Sequence, residues 1–232
     1  MKRLATICAR KNSKGLPSKN KLLLNGVPLY AIAISQALAT RYFTSITVTT
    51  DDQEILENSL LYGADLTIIR PPNLSTDTAG KPETIAHALL ETEKKLSISY
   101  DVVVDLDVTS PLRKVEDIKG AIDLLELNKV SSVVSACISH RNPYFNMLEV
   151  DSKGKISVSK SDNSPYLTRQ SAPKSFDMNA AVHVWNAQAL KSNPIVIFSD
   201  SLIYEMPEKR SRDIDTELDF EIVKFLSGIS DE

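Results

Sequence analysis

The sequence predicts an α/β fold: a Rossmann-like, parallel-dominated sheet with helices on both faces, interrupted late by an inserted β-hairpin subdomain. Two observations predict the sheet. As far as Ala136, short apolar runs rich in Val, Ile, Thr and Leu alternate with segments of helical period. These runs read as buried strands, and the β-α rhythm implies a parallel sheet covered by helices on both faces. A third observation predicts the insertion. From Ser139 the rhythm gives way to a polar, turn-rich stretch that is too long for an ordinary connection.

The elements follow in order. Leu4–Ala9 is the first strand and Leu29–Ala39 the first helix, then Ser45–Thr50 is a strand. Asp51, with Glu54 three residues on, predicts the N-cap of a helix over Gln53–Tyr62. After a strand at Leu66–Ile69, Pro82 marks the first turn of a helix running through Glu83–Leu96. Strand Val102–Leu106, helix Val115–Leu127 and strand Val130–Ala136 complete the regular part. The segment at about 139–176 has short alternating runs, hence the hairpin. Tyr144, Phe145, Met147 and Tyr166 leave it too apolar to stand in water, which predicts a covering partner subunit. Met178–Trp185 and Leu202–Met206 return to strand. The closing helix, Thr216–Gly228, opens on a Thr216/Asp219 capping box and carries one apolar stripe, Leu218, Ile222, Phe225 and Ile229. All of this is one domain over 1–232. In such a fold ligands bind beyond the carboxyl ends of the strands. The loops at 10–20, 70–81 and 107–114 should therefore converge.

Composition removes several function classes. The net charge of −3 argues against a nucleic-acid partner. No apolar run approaches the roughly 20 residues a membrane span needs, so no membrane partner is expected. The start lacks a signal-peptide core, and Cys8 and Cys137 are too few for a disulfide framework. A reducing, cytoplasmic setting is the expectation.

Local charge is more informative. The loop after the first strand, Ala9-Arg10-Lys11-Asn12-Ser13-Lys14-Gly15-Leu16-Pro17-Ser18-Lys19-Asn20, places Arg10, Lys11, Lys14 and Lys19 close together among turn-forming residues. Fixed cations and backbone N–H groups are what a polyphosphate needs. The loop is neither GxxxxGK[ST] nor GxGxxG. Read alone, it could also be a solvated basic turn. At the other end of the chain, Asp213 and Asp215 lie two apart on an extended segment, so their side chains point the same way. Such a pair suits Mg²⁺, although an acidic helix entry is the simpler alternative.

ARKNSKGLPSKN closely resembles the signature loop of the acylneuraminate cytidylyltransferases, the CMP-sialic acid synthetases. Further matches to that family follow in order: Arg70 to Thr78 (RPPNLSTDT), Thr109 to Arg113 (TSPLR), Arg169-Gln170, Asn179-Ala180-Ala181 and Asp213 to Asp219 (DIDTELD). The resemblance implies a nucleotidyltransferase that moves CMP from CTP to the anomeric hydroxyl of a nonulosonic acid. Arg10, Lys14 and Lys19 would hold the triphosphate, with Lys19 over the α-phosphate. Asn12, Ser13, Gly15, Asn20 and Arg70 would complete the nucleotide site. Asp107, Thr109, Ser110, Arg169, Gln170 and Asn179 would face the sugar, and Asp213 and Asp215 would bind Mg²⁺. A homodimer is implied, with the inserted segment crossing to the second subunit.

One departure bears on the sugar. Sialic acid enzymes usually read QPTSPLR, whereas this chain has Asp107-Val108-Thr109-Ser110-Pro111-Leu112-Arg113. Together with NPYFN and TRQSAPKSFDMNA, this resembles the legionaminic acid branch, with N-acetylneuraminate as the alternative substrate. Asp105-Leu106-Asp107-Val108-Thr109 also matches the DxDxT of haloacid-dehalogenase phosphatases. In that family, however, the motif follows the first strand, and here it follows the fourth with no GDxxxD downstream. His87, His183 and Cys8 read as structural, and His140 could face the sugar.

Overall fold

The computed structural model describes residues 1–11, 15–76, 79–160 and 166–228. After β1 (Arg3–Ala9), the chain forms a small hairpin of β2 (Leu23–Leu24) and β3 (Val27–Pro28) and enters α1 (Leu29–Thr40). Next come β4 (Ser45–Thr50), α2 (Gln53–Leu61), β5 (Leu66–Ile69), α3 (Lys81–Leu96), β6 (Val102–Leu106), α4 (Val115–Asn128) and β7 (Ser132–Ile138). A second hairpin, β8 (Leu148–Val150) and β9 (Ile156–Val158), precedes β10 (Phe176–Asn186), α5 (Ala187–Ser192), β11 (Leu202–Glu205) and α6 (Glu217–Ser227).

Seven strands form one sheet in the order β11-β7-β10-β6-β1-β4-β5. β1 pairs in parallel with both β4 and β6, β4 with β5, and β7 with β11. β10 is antiparallel to both of its neighbours, β6 and β7. The chain runs outward from β1 to β4 and β5, then crosses back to β6 on the other side of β1. That reversal is the switch point where open α/β sheets leave a crevice at the strands' carboxyl ends. The loops after β1 and β6 flank it.

Helices cover both faces of the sheet. Leu4 and Val103 pack with Ile85, Leu89, Trp185 and Leu190 beneath α3 and α5. Ala5, Val102 and Val104 face Ile34, Ile118, Ile122 and Val223 on the opposite side.

Three local expectations are corrected. The N-cap of α2 is Asp52, whose carboxylate accepts from the backbone N–H groups of Glu54 and Ile55. Asp51 instead accepts from the Lys11 N–H at 2.6 Å and ties the basic loop to β4. On α6 the residues facing the core are Phe220 and Val223, whereas Leu218 and Phe225 are about 70 % exposed. Ile229 lies outside the described residues. The helix is apolar on more than one side, and its entry decides which side docks: buried Ile214 donates its N–H to the Thr109 carbonyl at 3.0 Å. In the insertion, Tyr144 and Tyr166 meet edge to face at 5.9 Å and are half-buried. The exposed apolar surface there is aliphatic. Cross-strand pairs Leu148–Val158 and Val150–Ile156 give one face of the hairpin four exposed side chains.

Candidate active site

The crevice holds a cavity of about 400 Å³ lined by residues from both ends of the sequence. Arg10, Lys19, Arg70 and Lys81 supply cations, while Asp107, Asp213 and Asp215 supply carboxylates. Lys19 and Asn20 stand on a 3₁₀ turn that ends the basic loop. Asn20 is buried and donates through Nδ2 to the Arg10 carbonyl at 2.8 Å, closing the loop on itself. Arg70, also buried, donates to the Thr49 carbonyl at 3.1 Å and so aims into the cavity from the end of β5.

The basic loop and the closing segment meet. Lys19 Nζ lies 2.9 Å from Asp215 Oδ1. A β-carbon on Gly15 would fall 2.3 Å from the Asp215 carbonyl oxygen, so only glycine permits this approach. Asn12, Ser13 and Lys14 lie outside the described residues.

Asp213 and Asp215 flank buried Ile214 and line the same cavity, so the strand-like alternation holds. Burial, and then the charge of Asp107, raise the Asp213 carboxyl above its ordinary range. A cation beside it would relieve that cost. Among the described residues no cluster of three or more His, Cys, Asp or Glu is arranged around a metal position. Two carboxylates are a donor set that Mg²⁺ accepts when oxygens of another ligand and water fill the rest.

The residues expected at the sugar separate into four groups. Asp107 and Thr109 line the cavity. Asn179 lines an adjoining space of about 360 Å³ that shares Asp213 and includes His140, Asp177 and Arg212. Its amide is committed to the frame: Oδ1 accepts from Ser135 Oγ at 2.6 Å, and Nδ2 donates to Ser211 Oγ at 2.8 Å. Ser110 is fully buried and donates to the Asn179 carbonyl at 3.3 Å, so it braces the floor and lines neither space. Arg169 and Gln170 sit exposed on the insertion, outside both spaces, with Arg169 donating to the Ser139 carbonyl. Between Asn179 and Ala181, Ala180 adopts a left-handed φ of 51° where the sheet register shifts.

Three residues outside the expected site, Asp105, Lys81 and Arg113, organise this end of the sheet. Asp105 is fully buried in β6, and Thr6 Oγ1 donates to its Oδ1 at 3.0 Å. Lys81, the first residue of α3, places Nζ 2.8 Å from Asp105 Oδ2 and 2.5 Å from Asp107 Oδ2. Burial alone would raise the Asp107 carboxyl, but the Lys81 ammonium and two Thr109 donors hold it far below the usual range. Arg113 is fully buried, and its Nη1 donates to the carbonyls of Asp107, Ser110 and Ala181, knitting the loop after β6 to β10. The signals were present in the sequence: an acid inside a buried apolar run, and a lysine where the helix dipole disfavours one. A buried Asp105 cannot serve as the exposed nucleophile that the phosphatase reading requires. Cys8 borders the cavity, but burial and the neighbouring Asp105 push its thiol well above its ordinary value, so it is inert.

The family model described as "Cytidylyltransferase" matches residues 4–218. The chain is 39 % identical to "Post-translational flagellin modification protein B" of Campylobacter coli, over 96 % of this chain and 94 % of that one. It is 36 % identical to "CMP-N,N'-diacetyllegionaminic acid synthase" of Campylobacter jejuni, over 97 % of this chain and 95 % of that one. A solved structure of CMP:2-keto-3-deoxy-manno-octonic acid synthetase complexed with CTP shares the fold, with a TM-score of 0.71 over 98 % of both chains at 16 % identity.

Proposed function

The chain belongs to the cytidylyltransferase family, and from that premise we propose that it transfers CMP from CTP to the anomeric hydroxyl of a nonulosonic acid of the legionaminic type. The observation that carries this reading is the single cavity in which Arg10, Lys19 and Arg70 face Asp213 and Asp215. The anomeric oxygen attacks the α-phosphorus, the bond to the β-phosphate breaks, and pyrophosphate and a proton are released. Such a transfer needs charge neutralisation and in-line positioning more than covalent help. Arg10 and Lys19 hold phosphate oxygens, with Lys19 at the α-phosphate, and Lys14, Asn12 and Ser13 complete the loop. Arg70 and Asn20 bracket the cytidine. Asp213 and Asp215 hold Mg²⁺, which when bound neutralises phosphate charge. The space bordered by Asn179 and His140 takes the sugar.

No helix among the described residues is long and apolar enough to cross a membrane. The aliphatic face of the β8–β9 hairpin supports a homodimer, because two strands alone are marginal in water and this face is exposed among the described residues. A partner's insertion would then bring Arg169 and Gln170 toward a sugar space that they do not reach within their own chain.

The test is incubation with CTP, Mg²⁺ and a panel of N,N'-diacetyllegionaminic acid, N-acetylneuraminic acid and 3-deoxy-manno-octulosonate, following CMP-sugar and pyrophosphate. The diacetylated legionaminic acid should give the highest kcat/KM, and EDTA should abolish turnover. Preference for N-acetylneuraminic acid would overturn the sugar assignment. Full turnover in EDTA would overturn the metal.

A further inference from the structure

Asp105 and Asp107 lie two apart on β6 and its exit, so both carboxylates point to one side of the sheet. Two acids so placed at the mouth of a phosphate cavity look like the start of a metal site. In this chain a cation already stands between them. Lys81 Nζ contacts Asp105 Oδ2 at 2.8 Å and Asp107 Oδ2 at 2.5 Å. The remaining oxygens are also taken: Thr6 Oγ1 donates to Asp105 Oδ1, and the Thr109 N–H and Oγ1 donate to Asp107 Oδ1 at 3.0 and 2.9 Å. Asp107 thus has both oxygens hydrogen-bonded, whereas among the described residues buried Asp105 Oδ2 accepts no hydrogen bond and has only the Lys81 ion pair to balance its charge. Nothing local favours a lysine at this position. The first turn of a helix repels cations, and the two acids are what hold it there. His183, opposite Asp105 in the β6–β10 register, is buried with neither ring nitrogen partnered. Burial, and then the Lys81 charge, push its pKa down to about 4, so it brings no second cation.

We propose that Lys81 is the built-in counter-ion of the Asp105–Asp107 pair, a positioning residue that occupies the place a divalent ion would otherwise take between them. It ties the start of α3 to the exit of β6 and holds Asp107 and Thr109 still at the edge of the cavity they line. External metal is then left to Asp213 and Asp215, and that last clause rests on the function proposed above.

The test is a Mn²⁺ titration without nucleotide, with free ion read by electron paramagnetic resonance. Lys81→Met should bind one more Mn²⁺ per chain than the wild type. Lys81→Met/Asp107→Asn should lose that extra ion, and Lys81→Arg should match the wild type. An unchanged count in Lys81→Met overturns the proposal. Should that variant fail to fold because Asp105 is left buried and unpaired, reductive methylation of the wild-type chain decides instead. Lys81 should label at least tenfold more slowly than exposed Lys155, and at a rate approaching it in Asp107→Asn. Equal rates in the wild type overturn the proposal. Ion counts and labelling rates do not depend on CMP transfer, so failure of the proposed reaction would leave both readouts intact.

Discussion

Gly15 and the carbonyl oxygen of Asp215 touch across the crevice so closely that a β-carbon on Gly15 would sit 2.3 Å from that oxygen. The obstacle is backbone, which cannot swing aside as a side chain can. Gly15→Ala must therefore push the basic loop away from the carboxylate segment by a sizeable fraction of an ångström. Misplacement on that scale costs about a hundredfold in rate where chemistry depends on alignment. We expect kcat/KM for CTP to fall by about that factor while the melting temperature stays close to wild type, since the loop contributes little to the core. Full activity in Gly15→Ala would show that the two segments need not meet.

Lys19 Nζ, 2.9 Å from Asp215 Oδ1, is held at the side of the cavity where the acids stand. If it faces the α-phosphate, its interaction strengthens as charge builds there in the transition state. Lys19→Ala should then lower kcat by a hundred- to a thousandfold, about 2.7–4 kcal/mol. The KM for CTP should move much less. Steady-state kinetics decide the matter, and a rise in KM alone would make Lys19 a ground-state binder.

The sheet was legible because its central strands are buried on both faces. Ser45–Thr50, Leu66–Ile69 and Val102–Leu106 stand where their runs rich in Val, Ile, Thr and Leu placed them. What the sequence hid depends on contacts between distant residues. Asp51 and Asp52 are equally good cap residues by type, and only the turn geometry assigns the cap to Asp52. The apolar residues of α6 allow two stripes, and the docking of Ile214 selects Phe220 and Val223. Within the site, the basic loop and the paired acids were readable as charge patterns. For Lys81 the sequence shows only a lysine in an unfavourable place at a helix start; its partners, 24 and 26 positions away, are set by the fold. Arg113 was visible as a motif residue, yet its role is to brace carbonyls from beneath, which no motif spells out.

The hairpin face formed by Leu148, Val150, Ile156 and Val158 predicts the assembly state. Light scattering at micromolar concentration should give about twice the chain mass of 25.6 kDa. A charge on this face should be buried at the cost of the interface, so Val150→Asp/Ile156→Asp should scatter as a monomer with unchanged circular dichroism. If Arg169 and Gln170 act in the partner's sugar space, the same variant should lose sugar turnover while still binding CTP. A wild-type monomer with full activity would remove both claims.

Asp52 gives a pH dependence whose sign can be worked out in advance. Burial alone would raise its carboxyl, but Lys21 and the N–H groups of Ile55 and Glu54 together hold it below its ordinary value. A carboxyl depressed in the folded state binds protons less readily there than in the unfolded chain. Its stabilisation is therefore present above the unfolded value, near 3.8, and is lost as pH falls through the folded one. Asp52→Asn keeps an oxygen for the helix cap but gives up the ion pair with Lys21, whose Nζ lies 3.1 Å away. Asp52→Ala gives up both, and loss of the cap alone costs about 1 kcal/mol. Urea unfolding at neutral pH should rank wild type above Asp52→Asn and Asp52→Ala lowest. As pH falls from 3.8 through the lower folded value, the wild type should converge on Asp52→Asn, because Asp52 then becomes a neutral cap as well, while Asp52→Ala should stay below them. A gap between wild type and Asp52→Asn that does not narrow anywhere as pH falls below 3.8 would show that the charge on Asp52 does not stabilise the start of α2.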